Sequence, residues 1–191
     1  HSPLLTHSLH QMNNQTLRMQ HLVDDLLLLA NLETQKTKND CVEINSLLKQ
    51  ICQESSALEQ LNNRIELFID SDINILGNDQ ELRSAFSNLI VNALKYSPSD
   101  SIVTVQWYQS EHAVILDIID QGEGISALEI PKITERFYRV DVKRPQEQRG
   151  TGLGLAIVKH TLTRHNAQLN ITSEWGKGSC FSCIFPKKRF C

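Results

Sequence analysis

A glycine-free apolar seam opens the chain and restricts its fold more than any other feature. Leu5, Leu9, Met12, Met19, Val23, Leu26 and Ala30 recur at alternating spacings of four and three, with Thr16 in the single gap. That is the a/d pattern of a helix that packs along another helix. A lone helix has nothing to bury such a seam against, so the seam predicts one helix of a bundle or of a dimeric coiled coil. Packing on the chain's own core is the weaker reading, because the polar run "ETQKTKND" follows and reads as a linker. The chain therefore divides into a helix over 1–35, a linker over 36–41 and a second unit over 42–191.

The second unit mixes helix and strand periods. "CVEI" and "RIELFID" read as strands, and Asn45 or Ser46 can cap a helix between them that runs to about Leu61. "NDQELRSAFSNLIVNALKY" is a long helix with Asn78 as N-cap, Glu81 three residues on, and Ser97-Pro98 as its stop. "SIVTVQWYQ" and "HAVILDII" read as a hairpin. A loop-rich stretch follows from Gln121 to Arg149, then the helix "GLGLAIVKHTLTRH" and the strands "AQLNITSE" and "SCFSCIF" around "WGKGS". The order predicts an α+β fold, a two-layer α/β sandwich with one mixed sheet and helices on one face.

Composition narrows function by exclusion. A formal net charge of -3 with no long run of one sign does not suggest nucleic-acid binding. No apolar run nears bilayer length; the longest near the start is Leu26 to Ala30. The chain opens on His1 rather than Met, which reads as a piece of a longer protein whose membrane segment, if any, lies upstream. The five cysteines are scattered. Cys180 and Cys183 fall three apart in a strand, on opposite faces, with no second pair to complete a zinc site. Reduced buried thiols are the expectation.

Four elements carry chemistry. Asn88, Asn92, Lys95 and Tyr96 share a stripe of the long helix whose other positions nearby are apolar. An amide oxygen suits Mg²⁺ shared with phosphates, a lysine adds charge, and a phenol offers a flat face. Taken alone, a solvated helix face explains the stripe equally well. "DQGEGI" sets Asp120 at a strand end beside Gly122 and Gly124, where a carboxylate can accept from an exocyclic amine lying on bare backbone. "GTGLGL" opens a helix whose N–H groups can hold polyphosphate, although it lacks the lysine of the phosphate-loop motif. "WGKGS" is a tight turn between strands.

In this order the elements resemble the ATP-binding domain of two-component sensor histidine kinases, which share a Bergerat-type fold with gyrase, Hsp90 and MutL. "NLIVNALKY", "DQGEGI", "ERFYRVD", "GTGLGLAIVKH" and "GKGS" match that family's N, G1, F, G2 and G3 boxes, and the seam helix is similar to the second helix of its dimerisation hairpin. The resemblance implies ATP and Mg²⁺ as cofactors. Asn92 would hold the metal, Asn88 would face the phosphates, and Lys95 and Arg139 would contact them. Tyr96 would stack on adenine and Asp120 would bind its amine. Gly122, Gly124, Gly150, Gly152 and Gly154 would shape the pocket, with Ile125, Phe137, Thr151, Leu153 and Leu155 in its wall. Residues 139–152, with Lys143, Arg144 and Arg149, would form a lid, for which a basic surface loop is the alternative. Glu123, where the family has a small or ring residue, would point outward. The implied partners are a second copy, through the hairpin helix, and a response regulator. The implied location is the cytoplasmic side of a bacterial inner membrane.

One expected feature is missing. The family's phosphoacceptor histidine is followed directly by an acidic residue. His1, His7, His10, His21, His112, His160 and His165 are followed by Ser, Ser, Gln, Leu, Ala, Thr and Asn. "HSPLLT" places Ser2 where the acid belongs and leads into the seam helix. The reading is a catalytic protein-histidine kinase fragment with no phosphoacceptor of its own. A gyrase-like ATPase is disfavoured, because its general-base glutamate would stand where Asn88 does, and an amide cannot take a proton from water. A non-catalytic nucleotide-binding dimerisation module stays open as the alternative.

Overall fold

The computed structural model describes residues 3–34, 39–58, 65–140 and 150–191. In chain order it runs α1 (Pro3–Thr34), β1 (Asp40–Val42), α2 (Ile44–Leu58), β2 (Ile65–Ile69), β3 (Ile75–Gly77), α3 (Asp79–Tyr96), β4 (Val103–Gln109) and β5 (Ala113–Asp120). It continues with α4 (Gly154–Arg164), β6 (Gln168–Glu174), β7 (Gly178–Pro186) and a 3-10 turn, Lys187–Arg189.

Five strands form one sheet in the order β2-β4-β5-β7-β6. β2 runs parallel to β4, and the other pairs are antiparallel, so the sheet is mixed as predicted. Alternation decides which face is buried. Val105, Ile118 and Phe181 sit opposite one another in register, as do Trp107, Leu116 and Cys183, and all six are buried. Helices α2 to α4 cover that face with Leu48, Ile51, Phe86, Ile90 and Val158. Phe86 meets Phe185 edge-on at 6.2 Å, and Phe185 meets Trp107 in the same way. The opposite face carries partly exposed polar pairs such as the Tyr108 hydroxyl donating to Asp117.

Several local readings change. β1 pairs with β3 in a separate two-stranded sheet, and the sequence did not signal β3, three residues long. Helix α2 begins one residue before Asn45. Glu43 precedes it, Leu47 N–H donates to the Glu43 carbonyl, and the Ser46 hydroxyl donates to the Glu43 carboxylate. Asn45 instead donates to Asp72. The predicted end at Leu61 lies outside the described residues. Asn78 does cap α3, its side chain accepting from Glu81 N–H at 3.2 Å. The Glu81 side chain does not return to Asn78 as in a capping box. It pairs with Arg164 at 3.1 Å, and the Asn78 N–H donates to His165 Nε2.

The cysteines correct one expectation. Cys41 and Cys191, 150 positions apart in sequence, form a disulfide with Cα atoms 6.0 Å apart. They meet because the last residues run back beside β3, where Phe190 bridges Ile75 and Cys191 N–H donates to the Asn74 carbonyl. Cys52, Cys180 and Cys183 are free thiols. Burial pushes Cys52 up to about 11 and raises Cys183 further, which keeps both protonated and inert.

Candidate functional site

Strand β5 ends, α3 ends, and α4 begins around one cleft of about 940 Å³. Of the residues singled out from sequence, Asn88, Asn92, Lys95, Tyr96, Asp120, Gly124, Ile125, Arg139, Gly150, Thr151, Gly152, Gly154 and Leu155 line it. Residues nearly seventy positions apart are thereby brought to a single wall.

One end of the cleft is built where α3 meets the start of α4. The Asn88 carboxamide donates to the Ser84 carbonyl at 2.9 Å, one turn earlier, which fixes its orientation. A Cβ at position 154 would lie 2.5 Å from Asn88 Oδ1, so only glycine lets α4 start this close to α3. Helix α4 has no side-chain cap, which leaves its first amides without side-chain acceptors. The Asn92 side chain, one turn beyond Asn88 on α3, makes no hydrogen bond to another described residue. The Lys95 ammonium lies 5.5 Å from the centre of the Tyr96 ring.

The other end is built on Asp120, which is only 6% exposed. Its Oδ1 accepts from Gly122 N–H at 2.8 Å and from Ser179 N–H at 3.2 Å. Burial raises the carboxyl above its ordinary value, and these donors oppose the rise. The glycines after it let neighbouring backbone come close. A Cβ on Gly124, at φ +72°, would fall 2.1 Å from the Glu174 carbonyl oxygen, and one on Gly122 would fall 2.5 Å from the Tyr96 carbonyl oxygen. The "DQGEGI" segment is thus clamped between the end of α3 and the β6–β7 turn.

Three of the singled-out residues do not line the cleft. Gly122 acts behind it, against Tyr96. Phe137 is 57% exposed and holds φ +63°; its N–H donates to the Gly152 carbonyl at 2.9 Å, which ties together the two ends of the 138–151 segment. Leu153 is fully buried elsewhere, packed with Ile157 against Leu29 and Leu32 of α1. The basic residues Lys143, Arg144 and Arg149 of the expected lid lie outside the described residues. Tyr138, Val140, Trp175, Ser179 and Phe181 also border the cleft; the first four lie in "ERFYRVD" and "WGKGS", singled out from sequence without a role for these residues. Glu123, expected to point outward, is exposed but borders the cleft too. Among the described residues no cluster of His, Cys, Asp and Glu suited to a metal ion occurs.

Helix α1 reaches this site from outside. Asp25 accepts from the Thr151 hydroxyl at 3.0 Å, Glu33 pairs with Arg136, and Arg164 donates to the Leu32 carbonyl. The last turns of α1 therefore do pack on the unit that carries the cleft, through residues off the seam. Along the seam, Leu9, Met12, Met19, Val23 and Leu26 remain exposed. No described helix is long and apolar enough to cross a membrane.

Comparison with known proteins agrees with this geometry. Over 187 residues the chain is 45% identical to the phosphate regulon sensor protein PhoR of Pseudomonas aeruginosa, and over 188 residues it is 42% identical to PhoR of Haemophilus influenzae. These alignments cover 96% and 98% of this chain but 42% and 44% of the relatives, so the chain spans less than half of their length. The segments "ELRSAFSNLIVNA", "TERFYRVD" and "GLGLAIVKH" look like PhoR in the sequence itself, and these alignments agree with that resemblance. Among solved structures, a mycobacterial sensor histidine kinase, MprB, superimposes with a TM-score of 0.67 at 27% identity, covering 78% of this chain and 97% of that one. Full-length ShkA in complex with AMPPNP shares the fold with a TM-score of 0.75 at 24% identity, over 96% of this chain and 38% of that one. Residues 77–189 match the family described as histidine kinase-, DNA gyrase B-, and HSP90-like ATPase, and the chain belongs to that family.

Proposed function

We propose that this chain is the catalytic, ATP-binding portion of a two-component sensor protein-histidine kinase of the PhoR kind. In this reading it passes the γ-phosphoryl group of ATP to a histidine on a dimerisation hairpin, for relay to an aspartate of a PhoB-like response regulator. The observation that carries the reading is the polarity of the cleft. A buried carboxylate on glycine backbone stands at one end, and an Asn-Asn-Lys stripe facing uncapped helix amides stands at the other. That order fits adenine at Asp120 and the triphosphate between α3 and α4.

Mg²⁺ fits the second end. The Asn92 carboxamide is uncommitted, and Mg²⁺ is commonly held by one or two protein oxygens with phosphates and waters completing the shell. Asn92 would hold the ion, and the ion would supply neutralising charge across the phosphates. Asn88, whose amide nitrogen is spent on the Ser84 carbonyl, would face the phosphates. Lys95 and Arg139 would add charge at the phosphates, and the α4 amides would fix the phosphate oxygens. Phosphoryl transfer needs positioning and charge more than a base, and Asn88 provides no base for water. The domain division at 36–41, the homodimer through α1 and a membrane anchor in segments outside this chain belong to the same proposal.

Supplying an intact PhoR-type hairpin with γ-labelled Mg·ATP tests the reading. We expect acid-labile, base-stable label on that hairpin, none on this chain, and severe loss in Asn92→Asp, whose charge repels the triphosphate. ATP binding without transfer would favour the non-catalytic dimerisation module instead.

A further inference from the structure

Resting on the nucleotide reading above, we infer that Trp175 is a second aromatic contact for the nucleoside half of the ligand and sets part of its affinity. Trp175 is 63% exposed yet borders the cleft. A single exposed indole is ordinary on a protein surface. What sets this one apart is how firmly its backbone is held and where.

The turn carrying it is tied to the Asp120 segment by two bonds. Gly176 N–H donates to the Glu123 carbonyl at 2.6 Å, and Ile125 N–H donates to the Ser173 hydroxyl at 2.7 Å. A Cβ on Gly124 would lie 3.0 Å from the Trp175 Cα, so the two backbones are in direct contact. On the other flank the Tyr96 backbone touches Gly122 in the same way. The stretch that follows Asp120 therefore has one aromatic residue on each side, Tyr96 from α3 and Trp175 from the β6–β7 turn. Trp175 stands beside the segment that follows Asp120, at the carboxylate end, so its contact is with base or ribose rather than phosphate. An anchored turn presents a flat, apolar surface without ordering cost, and stacking on a base is tolerant of its exact placement.

The molecule provides its own control. The other tryptophan, Trp107, is fully buried in the core and cannot meet a ligand. Indole emission and calorimetry are followed while Mg·ATP or inorganic tripolyphosphate is added to wild type, Trp175→Ala and Trp175→Phe. We expect ATP, but not tripolyphosphate, to change the wild-type emission. Trp175→Ala should bind ATP about tenfold more weakly at an unchanged Tm, with emission that no longer responds. Trp175→Phe should recover most of the affinity. Wild-type ATP affinity in Trp175→Ala would overturn this inference alone. A wild-type protein that binds no ATP would overturn the functional reading and this inference with it.

Discussion

Asp120 and His165 are both buried polar groups, and their partners give them different work. Asp120 spends Oδ1 on two backbone donors and borders the cleft. Asp120→Asn can keep the oxygen on those donors while turning the other position from acceptor into donor. We expect the fold to survive and ATP to bind more weakly by about 1–3 kcal/mol, with GTP, which offers an acceptor there, losing less. Calorimetry with both nucleotides checks this; an unchanged ATP preference would remove Asp120 from base recognition. His165 is fully buried, with Nδ1 donating to the Thr161 carbonyl at 2.7 Å and Nε2 accepting from Asn78 N–H at 3.1 Å. Both bonds together require the neutral ring. Burial lowers its pKa below the ordinary 6.5, with Arg189 and Arg164 adding to the effect and Thr161 and Glu81 opposing it. A depressed histidine contributes stability in full above about 6.5 and loses it as pH falls below. Denaturant midpoints should therefore drop between pH 7.5 and 5. His165→Gln should start lower and show a shallower drop; an equal drop in both proteins would assign the pH dependence to other groups.

At the scale of elements, the junction of α3 and α4 sets the site. Gly154→Ala would place a methyl on Asn88 Oδ1 and force the helices apart. We expect a loss of about 1–3 kcal/mol in stability, together with weaker Mg·ATP binding. Adding Asn88→Ala should return most of the stability and none of the binding, the non-additivity expected of residues in contact. Thermal melts and nucleotide titrations of the two single variants and the double variant decide it. The elements that sequence revealed best are those whose period decides burial alone. Strands β4 and β5 alternate cleanly, and α3 carries both its cap and its stop. What stayed hidden depended on partners far along the chain. β3 is three residues long and exists only because β1 lies beside it. The Cys41–Cys191 bridge needs both ends of the second unit side by side. Glu81 stands where a capping box needs it, but Arg164, 83 positions later, takes its carboxylate. Asp120 and Asn92 were legible because strand end and helix stripe place them, whereas Trp175 and Ser179 were marked only as parts of the turn "WGKGS", and the sheet's register is what brings that turn to the site.

For the whole molecule, the two faces of α1 make separate commitments. The seam face is exposed and available to another helix, while Asp25, Leu29, Leu32 and Glu33 hold the helix to the unit that carries the cleft. The Asp25 contact is the most informative of these, because Thr151 and the glycines around it border the cleft themselves. Burial raises the Asp25 carboxyl, and the hydrogen bond it accepts from Thr151 at 3.0 Å opposes the rise. Asp25→Ala removes the acceptor and leaves the apolar cluster of Leu29, Leu32, Leu153 and Ile157 intact. We expect a local loosening of about 1 kcal/mol, read as roughly fivefold faster amide exchange over residues 28–34 and 150–156, with β4, β5 and β7 unchanged. Asp25→Asn keeps an oxygen for the Thr151 hydroxyl and should exchange nearly as wild type does. If Asp25→Ala accelerates exchange in the helix but not in 150–156, α1 is merely tethered. If it accelerates both, α1 and the glycine-rich wall of the cleft open together, and under the proposed function a shift of the helix would change how the phosphates are held.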